Sequence, residues 1–321
     1  MVILITLETI RDATCRIRHV VRKTPVLTSD IINRAVDAEV FFKCENLQFE
    51  GAFKSRGACN AVFALDDESA AKGVVTHSSG NHAAALARAA ALRGITAHIV
   101  MPENSARTKI DAVRRLGIEP VFCKPDTDSR QAAAERVMQS TGATFVHPYD
   151  NEAVIAGQGT AVLELLSQVT SLDSVIVPVG GGGLLSGTLI GCHAMQPGLR
   201  VFGAEPEWAD DAVRSLKAGF LQSPTRYDSI ADGLRTRLGD LTFPIIQKHV
   251  TDILLTSEEA IRAATVGICR NLRIIAEPSG AVPLAALSIH RERFHGQKVG
   301  VIVSGGNIDT ALLCRLLSSE T

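Results

Sequence analysis

From residue 73 the chain alternates between two kinds of segment, and that alternation limits the fold more than any other feature. GVVTH (73–77) is a short β-branched run. NHAAALARAAALRG (81–94) follows, rich in alanine and stopped by Gly94. TAHIVMP is the next apolar run, then the helical pattern ARTKIDAVRRLG ending at Gly117, then EPVFCK, DSRQAAAERVMQSTG and TFVHP. A second series contains a helix around 157–168, SVIVPV, a helix from about 184 and RVFGAEP. Near the end come EPSGAVPLAALSIH, KVGVIVSGG and NIDTALLCRLLSS. Strands that alternate with helices across short joints run parallel and are covered by helices. The expectation is an α/β protein of two open twisted sheets, helices on both faces, with a ligand cleft at the carboxyl ends of the strands.

Composition supports this. At 46% apolar residues over 321 positions there is enough for two lobes. A net charge of -1 and 4% aromatics argue against nucleic acid. No run is apolar for long enough to span a bilayer, and MVILITLETIRDATCRIRHV has no basic segment ahead of its apolar start. Thr6 and Glu8 there read as the start of an amphipathic helix. The seven cysteines are scattered without a C-x-x-C pair, which points to a reduced, cytoplasmic protein.

Three segments carry chemistry. VIVPVGGGGLLSG places Gly180, Gly181, Gly182 and Gly183 between a strand and a helix, where backbone N–H groups and the helix N-terminus suit a phosphate. The spacing is neither that of a dinucleotide fold nor that of a Walker loop. THSSGNHAAA offers Ser78, Ser79 and Asn81 at a second helix start, suited to a carboxylate, with His82 held by the turn. FFKCENLQFEGAFKSRGACNAV sets Lys54 where an extended stretch passes into a helix. A phosphate cradle, a carboxylate cradle and a lysine with an adjustable pKa match the needs of pyridoxal phosphate.

With HPYDNEAVIAGQGT, AEPEWADDA, SIADGL, EPSGA and VSGGN in the same order, the chain resembles the β-family (fold type II, tryptophan synthase β-like) of pyridoxal-phosphate enzymes. The likeness is to its serine racemase, serine–threonine dehydratase and hydroxyaspartate ammonia-lyase branch, over about residues 8 to 315. The resemblance implies a large cofactor-binding domain from 1–63 plus 152–321 and a small mobile domain from 70–150. It implies that Lys54 bonds the cofactor aldehyde and Phe53 packs beside the ring. The four glycines would hold the phosphate, Asn81 the ring hydroxyl, and Ser304 would face the ring nitrogen. Ser79 would stand across the ring from Lys54, the placement racemisation needs. Ser78, Ser79, Asn81 and His82 would meet the substrate, and Arg130 would favour a second carboxylate on it.

Glu205, Asp211 and the Ala209 carbonyl resemble the family's divalent-cation site, for magnesium, manganese or calcium. A homodimer is also implied. Tyr149 stands where racemases of this branch tend to carry asparagine, and Ser55 where bulkier residues are usual. The leading expectation is therefore a dehydratase acting on serine, threonine or 3-hydroxyaspartate, with a serine or aspartate racemase as the alternative.

Overall fold

The computed structural model describes residues 5–78, 80–105 and 107–318. Its strands are β1 (Val26–Leu27), β2 (Glu39–Cys44), β3 (Val74–His77), β4 (Ala97–Pro102) and β5 (Val121–Cys123), followed by β6 (Thr144–Phe145), β7 (Ser174–Pro178), β8 (Arg200–Pro206), β9 (Asp252–Thr256) and β10 (Lys298–Val303). They form two sheets, one ordered β1-β2-β10-β7-β8-β9 and the other β5-β4-β3-β6. Every pairing is parallel except β1 with β2. The smaller sheet lies within one stretch of sequence, bracketed by β2 and β7.

The alternating segments become the elements their patterns indicate, because each helix has apolar residues to bury and a residue able to end it. Thr6 caps the Leu7–Ile17 helix through a reciprocal bond with Thr9. Gly94 ends Asn81–Arg93 at φ 72°, where an L side chain is disfavoured. The Glu152–Gln168 helix starts from Asn151, whose side chain accepts from Val154 N–H, and so begins five residues before the expected 157. Elements that were not anticipated include the Asp30–Val36 and Thr242–His249 helices, β9 and the Glu258–Leu272 helix behind it. Strand β6 is shorter than TFVHP suggests, because a turn takes over the backbone at His147.

A buried ion network fixes the helix that carries Lys54. Arg56 is fully buried. It meets Glu45 at 2.7 Å and Glu164 at 2.8 Å, and Lys43 meets Glu164 at 2.7 Å. Strand β2, the Lys54–Phe63 helix and the Glu152–Gln168 helix are thereby tied at one point. In the dry interior such a network holds only while every charge is matched.

Candidate active site

The end of β10 meets Phe53 through the Ser304 carbonyl, and the glycine loop after β7 is joined to Lys54 through residues 148 and 149, so part of the set singled out in the sequence comes together there. Lys54 Nζ donates to the Pro148 carbonyl at 2.8 Å and lies 5.0 Å from the Phe53 ring centroid. Loss of water contact lowers its pKa to about 8, against the opposing pull of Glu277. Phe53 N–H donates to the Ser304 carbonyl at 2.9 Å, so Ser304, itself buried, is held beside the lysine's helix.

The glycine loop lies against Tyr149. A Cβ at Gly181 would overlap the Tyr149 ring, and one at Gly183 would sit 3.0 Å from the Tyr149 carbonyl oxygen. Gly182 has φ 88° and would bring a Cβ to 2.8 Å from Thr242 Oγ1. Side chains are thus excluded along the loop, whose four glycines are all buried. Gly180 lies against Leu234 and Gly233 of SIADGL.

Asn81 donates to Glu277 Oε1 at 2.9 Å and accepts from Asn307 Nδ2 at 2.9 Å. His82 is buried, with Nε2 at 3.2 Å from the Val146 carbonyl. Burial, then the nearby Lys54 charge, push its pKa down to about 3, so the ring is neutral. Ser78 Oγ accepts from Gly80 N–H at 3.3 Å. Ser79 lies outside the described residues. Arg130 stands one layer back. Its Nε bonds the Asp126 carbonyl at 3.3 Å and its charge is felt at His77.

Glu277, His147 and Asn307 belong to this cluster and had no role in the sequence reading. Glu277 sits in EPSGA, a motif noted only as a likeness. Burial, then the charge of Asp232, push its pKa up to about 8, so the acid holds a proton at neutral pH. A carboxyl whose folded pKa lies above its ordinary 4.5 costs the fold stability progressively as pH rises through that interval, and fully above it. Glu277→Gln keeps the acceptor for Asn81 and removes the titration. Urea denaturation at pH 5 and pH 8 is expected to show a smaller loss of stability in Glu277→Gln than in the wild type.

A second cluster lies at the end of β8. Glu205 and Asp211 are buried, as is Ala209. Glu205 accepts from Ala212 and Val213 N–H at 2.8 and 3.0 Å, and Asp211 Oδ2 accepts from Leu238 N–H at 2.8 Å. Asp211 Oδ1 is buried without a hydrogen-bond partner among the described residues. Burial, then the adjacent Asp211 charge, raise Glu205 well above the carboxylate range, while burial raises Asp211 to about 7. Among the described residues no group of three His, Cys, Asp or Glu side chains could hold a metal; two carboxylates and a carbonyl are what this cluster provides.

Two sheets that bring a half-dry lysine, a side-chain-free glycine loop and a half-buried asparagine bonded to a buried glutamate together define a class, the fold type II enzymes of pyridoxal phosphate. The family described as "Pyridoxal-phosphate dependent enzyme" matches residues 17–305, and the chain belongs to it. It is 50% identical over 304 residues to a beta-hydroxyaspartate dehydratase of Paracoccus denitrificans, covering 95% of this chain and 96% of that one. It is 40% identical to an L-threo-3-hydroxyaspartate ammonia-lyase of Saccharomyces cerevisiae, with 96% and 95% covered. The structure of maize serine racemase superimposes with a TM-score of 0.94 at 44% identity, covering 98% of each chain.

Proposed function

We propose that the protein is a dehydratase that removes water and ammonia from a small β-hydroxy amino acid, 3-hydroxyaspartate before serine or threonine, to give a 2-keto acid. The observation that carries this reading is the Lys54 amine, dried to a pKa of about 8 and held at 2.8 Å from the Pro148 carbonyl within the cluster. The relatives named for hydroxyaspartate elimination support the substrate class.

The residues fit pyridoxal phosphate, since a loop that admits no side chain is joined, through residues 148 and 149, to a lysine able to lose its charge. Lys54 would bond the aldehyde, Gly180 to Gly183 the phosphate and Asn81 the ring hydroxyl. Ser304 would face the ring nitrogen and Phe53 would pack beside the ring. The bound group supplies an electron-withdrawing ring that acidifies the substrate's Cα–H. Lys54 Nζ takes that proton, since near neutral pH it can exist as the free amine. The β-hydroxyl leaves with a proton as water, and hydrolysis of the C–N bond then releases ammonia and the keto acid. Ser78 and Asn81 bind the α-carboxylate at the helix start, with neutral His82 behind them. A neutral Ser304 would offer the ring nitrogen no acid partner, which would suit rapid loss of the β-substituent. Arg130, released from the Asp126 carbonyl, would fork onto a second carboxylate.

Glu205, Asp211 and the Ala209 carbonyl form an all-oxygen donor set for magnesium, manganese or calcium. An unpartnered buried Asp211 Oδ1 and two carboxyls with raised pKa values favour a cation there. The seven unpaired thiols suit a reducing cytoplasm. The family likeness supports a homodimer, with residues 70–150 moving to close the cleft.

The test is a panel of L-serine, L-threonine and both 3-hydroxyaspartate diastereomers, with keto acid and ammonia measured before and after chelation. Turnover of one 3-hydroxyaspartate isomer at least tenfold above serine, with activity restored by added magnesium, is expected; keto-acid release from none of the four would refute the reading. A racemase reading is supported by the likeness to maize serine racemase. It would place Ser79 opposite Lys54, and D-amino acid formed faster than keto acid would favour it.

A further inference from the structure

The chain leaves the smaller sheet at Phe145, and the next five residues touch both the lysine and the glycine loop. We propose that His147 is a positioning residue: by accepting the backbone N–H groups of the turn that follows, it fixes the carbonyl that receives the Lys54 amine and the ring that covers Gly181. This rests on the function proposed above, because it assigns those two groups to the catalytic centre.

His147 Nδ1 accepts from Asp150 N–H at 2.9 Å and from Tyr149 N–H at 3.4 Å. The lone pair is committed to the turn, so the ring's proton is on Nε2 and Nδ1 is closed to a substrate. Burial, then the neighbouring His77 and Lys54, hold its pKa at about 4, which keeps the acceptor available through the neutral range. Each residue of the turn then does something different. Pro148 presents its carbonyl to Lys54 at 2.8 Å. Tyr149 meets the His147 ring edge-on, 4.5 Å between centroids, and covers Gly181. Asp150 accepts from Asp240, Leu241 and Thr242 N–H groups, and Thr242 Oγ1 donates to the Gly181 carbonyl at 2.8 Å. One imidazole nitrogen thus sets the geometry of the amine and of both sides of the glycine loop. Neither a solvated histidine nor a packing ring requires that acceptor.

Two substitutions separate acceptor from ring. His147→Asn keeps an acceptor at the Nδ1 position and loses the ring; His147→Phe keeps the ring and loses the acceptor. The first readout uses cofactor-free protein: acylation of Lys54 against pH, followed by mass spectrometry. The titratable neighbours of Lys54, namely Glu277, His82 and His147, change only at position 147. Wild type and His147→Asn are expected to share a midpoint near 8. In His147→Phe the loosened turn admits water, and the midpoint should rise by roughly one unit. The second readout is kinetic: kcat of His147→Phe should fall by roughly 10- to 100-fold, with KM changed less than about threefold, because the amine is misplaced and not the binding groups.

An unshifted midpoint in His147→Phe overturns the proposal. So does a shifted one in His147→Asn, which decides the matter alone if the Phe variant does not fold. Wild type that takes up no cofactor at Lys54 would refute the proposed function, whereas the titration contrast, measured without cofactor, would still decide the role of His147.

Discussion

Lys54→Ala is expected to lose at least roughly a thousandfold in kcat on whichever β-hydroxy amino acid the wild type turns over, the size of a removed proton-transfer group. The fold should not suffer. Among the described residues Lys54 makes one hydrogen bond, to Pro148, and its amine is held away from water. A lysine with a depressed folded pKa costs stability progressively as pH falls from 10.5 to about 8, and fully below that. Lys54→Ala should therefore unfold no earlier than wild type at pH 7. Added methylamine, which can replace the missing base in solution, should restore part of the rate. Activity within tenfold of wild type would move the proton transfer to another residue.

Arg56→Met is expected to have the largest effect on stability. Arg56 is buried between Glu45 and Glu164, and Glu45 is equally buried, its second oxygen accepting from Thr24 Oγ1 at 2.5 Å. Without the guanidinium, Glu45 has no ion-pair partner among the described residues, and Glu164 keeps only Lys43. Breaking a buried pair in this way costs about 3–5 kcal/mol, a large part of the 5–15 kcal/mol of a typical protein. Arg56→Lys should lie between, retaining charge without the planar fork. Urea unfolding of the three proteins measures it; a loss below about 1 kcal/mol in Arg56→Met would mean the network is hydrated or dispensable.

How far the sequence could be read depends on which interactions are local. RVFGAEP is β8 from its first residue to its last, and Gly94 and Gly142 end their helices because only the left-handed region closes those turns. The glycine loop was legible for the same reason, as a strand-to-helix joint with its residues side by side; the lysine's helix is not such a joint, because two 3-10 turns, Glu45–Leu47 and Phe49–Gly51, separate it from β2. The missed elements also had local signals. Ser257 caps the Glu258–Leu272 helix and accepts from Ala260 N–H, but the short run DILLT ahead of it has no alternation to mark a strand. What stayed hidden depends on distant partners. Glu277 is raised because the fold buries it beside Asn81, 196 residues away. Arg56 looks like a surface arginine until Glu45 and Glu164 close on it. His147 shows its role only once Lys54 meets the carbonyl of the next residue. Arg130, expected at the substrate, bonds the Asp126 carbonyl at its own helix start, next to His77; the spacing DSRQ places it on a helix but does not aim it.

The most direct measurement is to supply the purified protein with pyridoxal phosphate, reduce it with borohydride and digest it with trypsin. A yellow protein is expected, with the pyridoxyl mass on a peptide running from Cys44 to Arg56, because the blocked Lys54 resists cleavage. A colourless protein whose peptide ends unmodified at Lys54 would contradict the account.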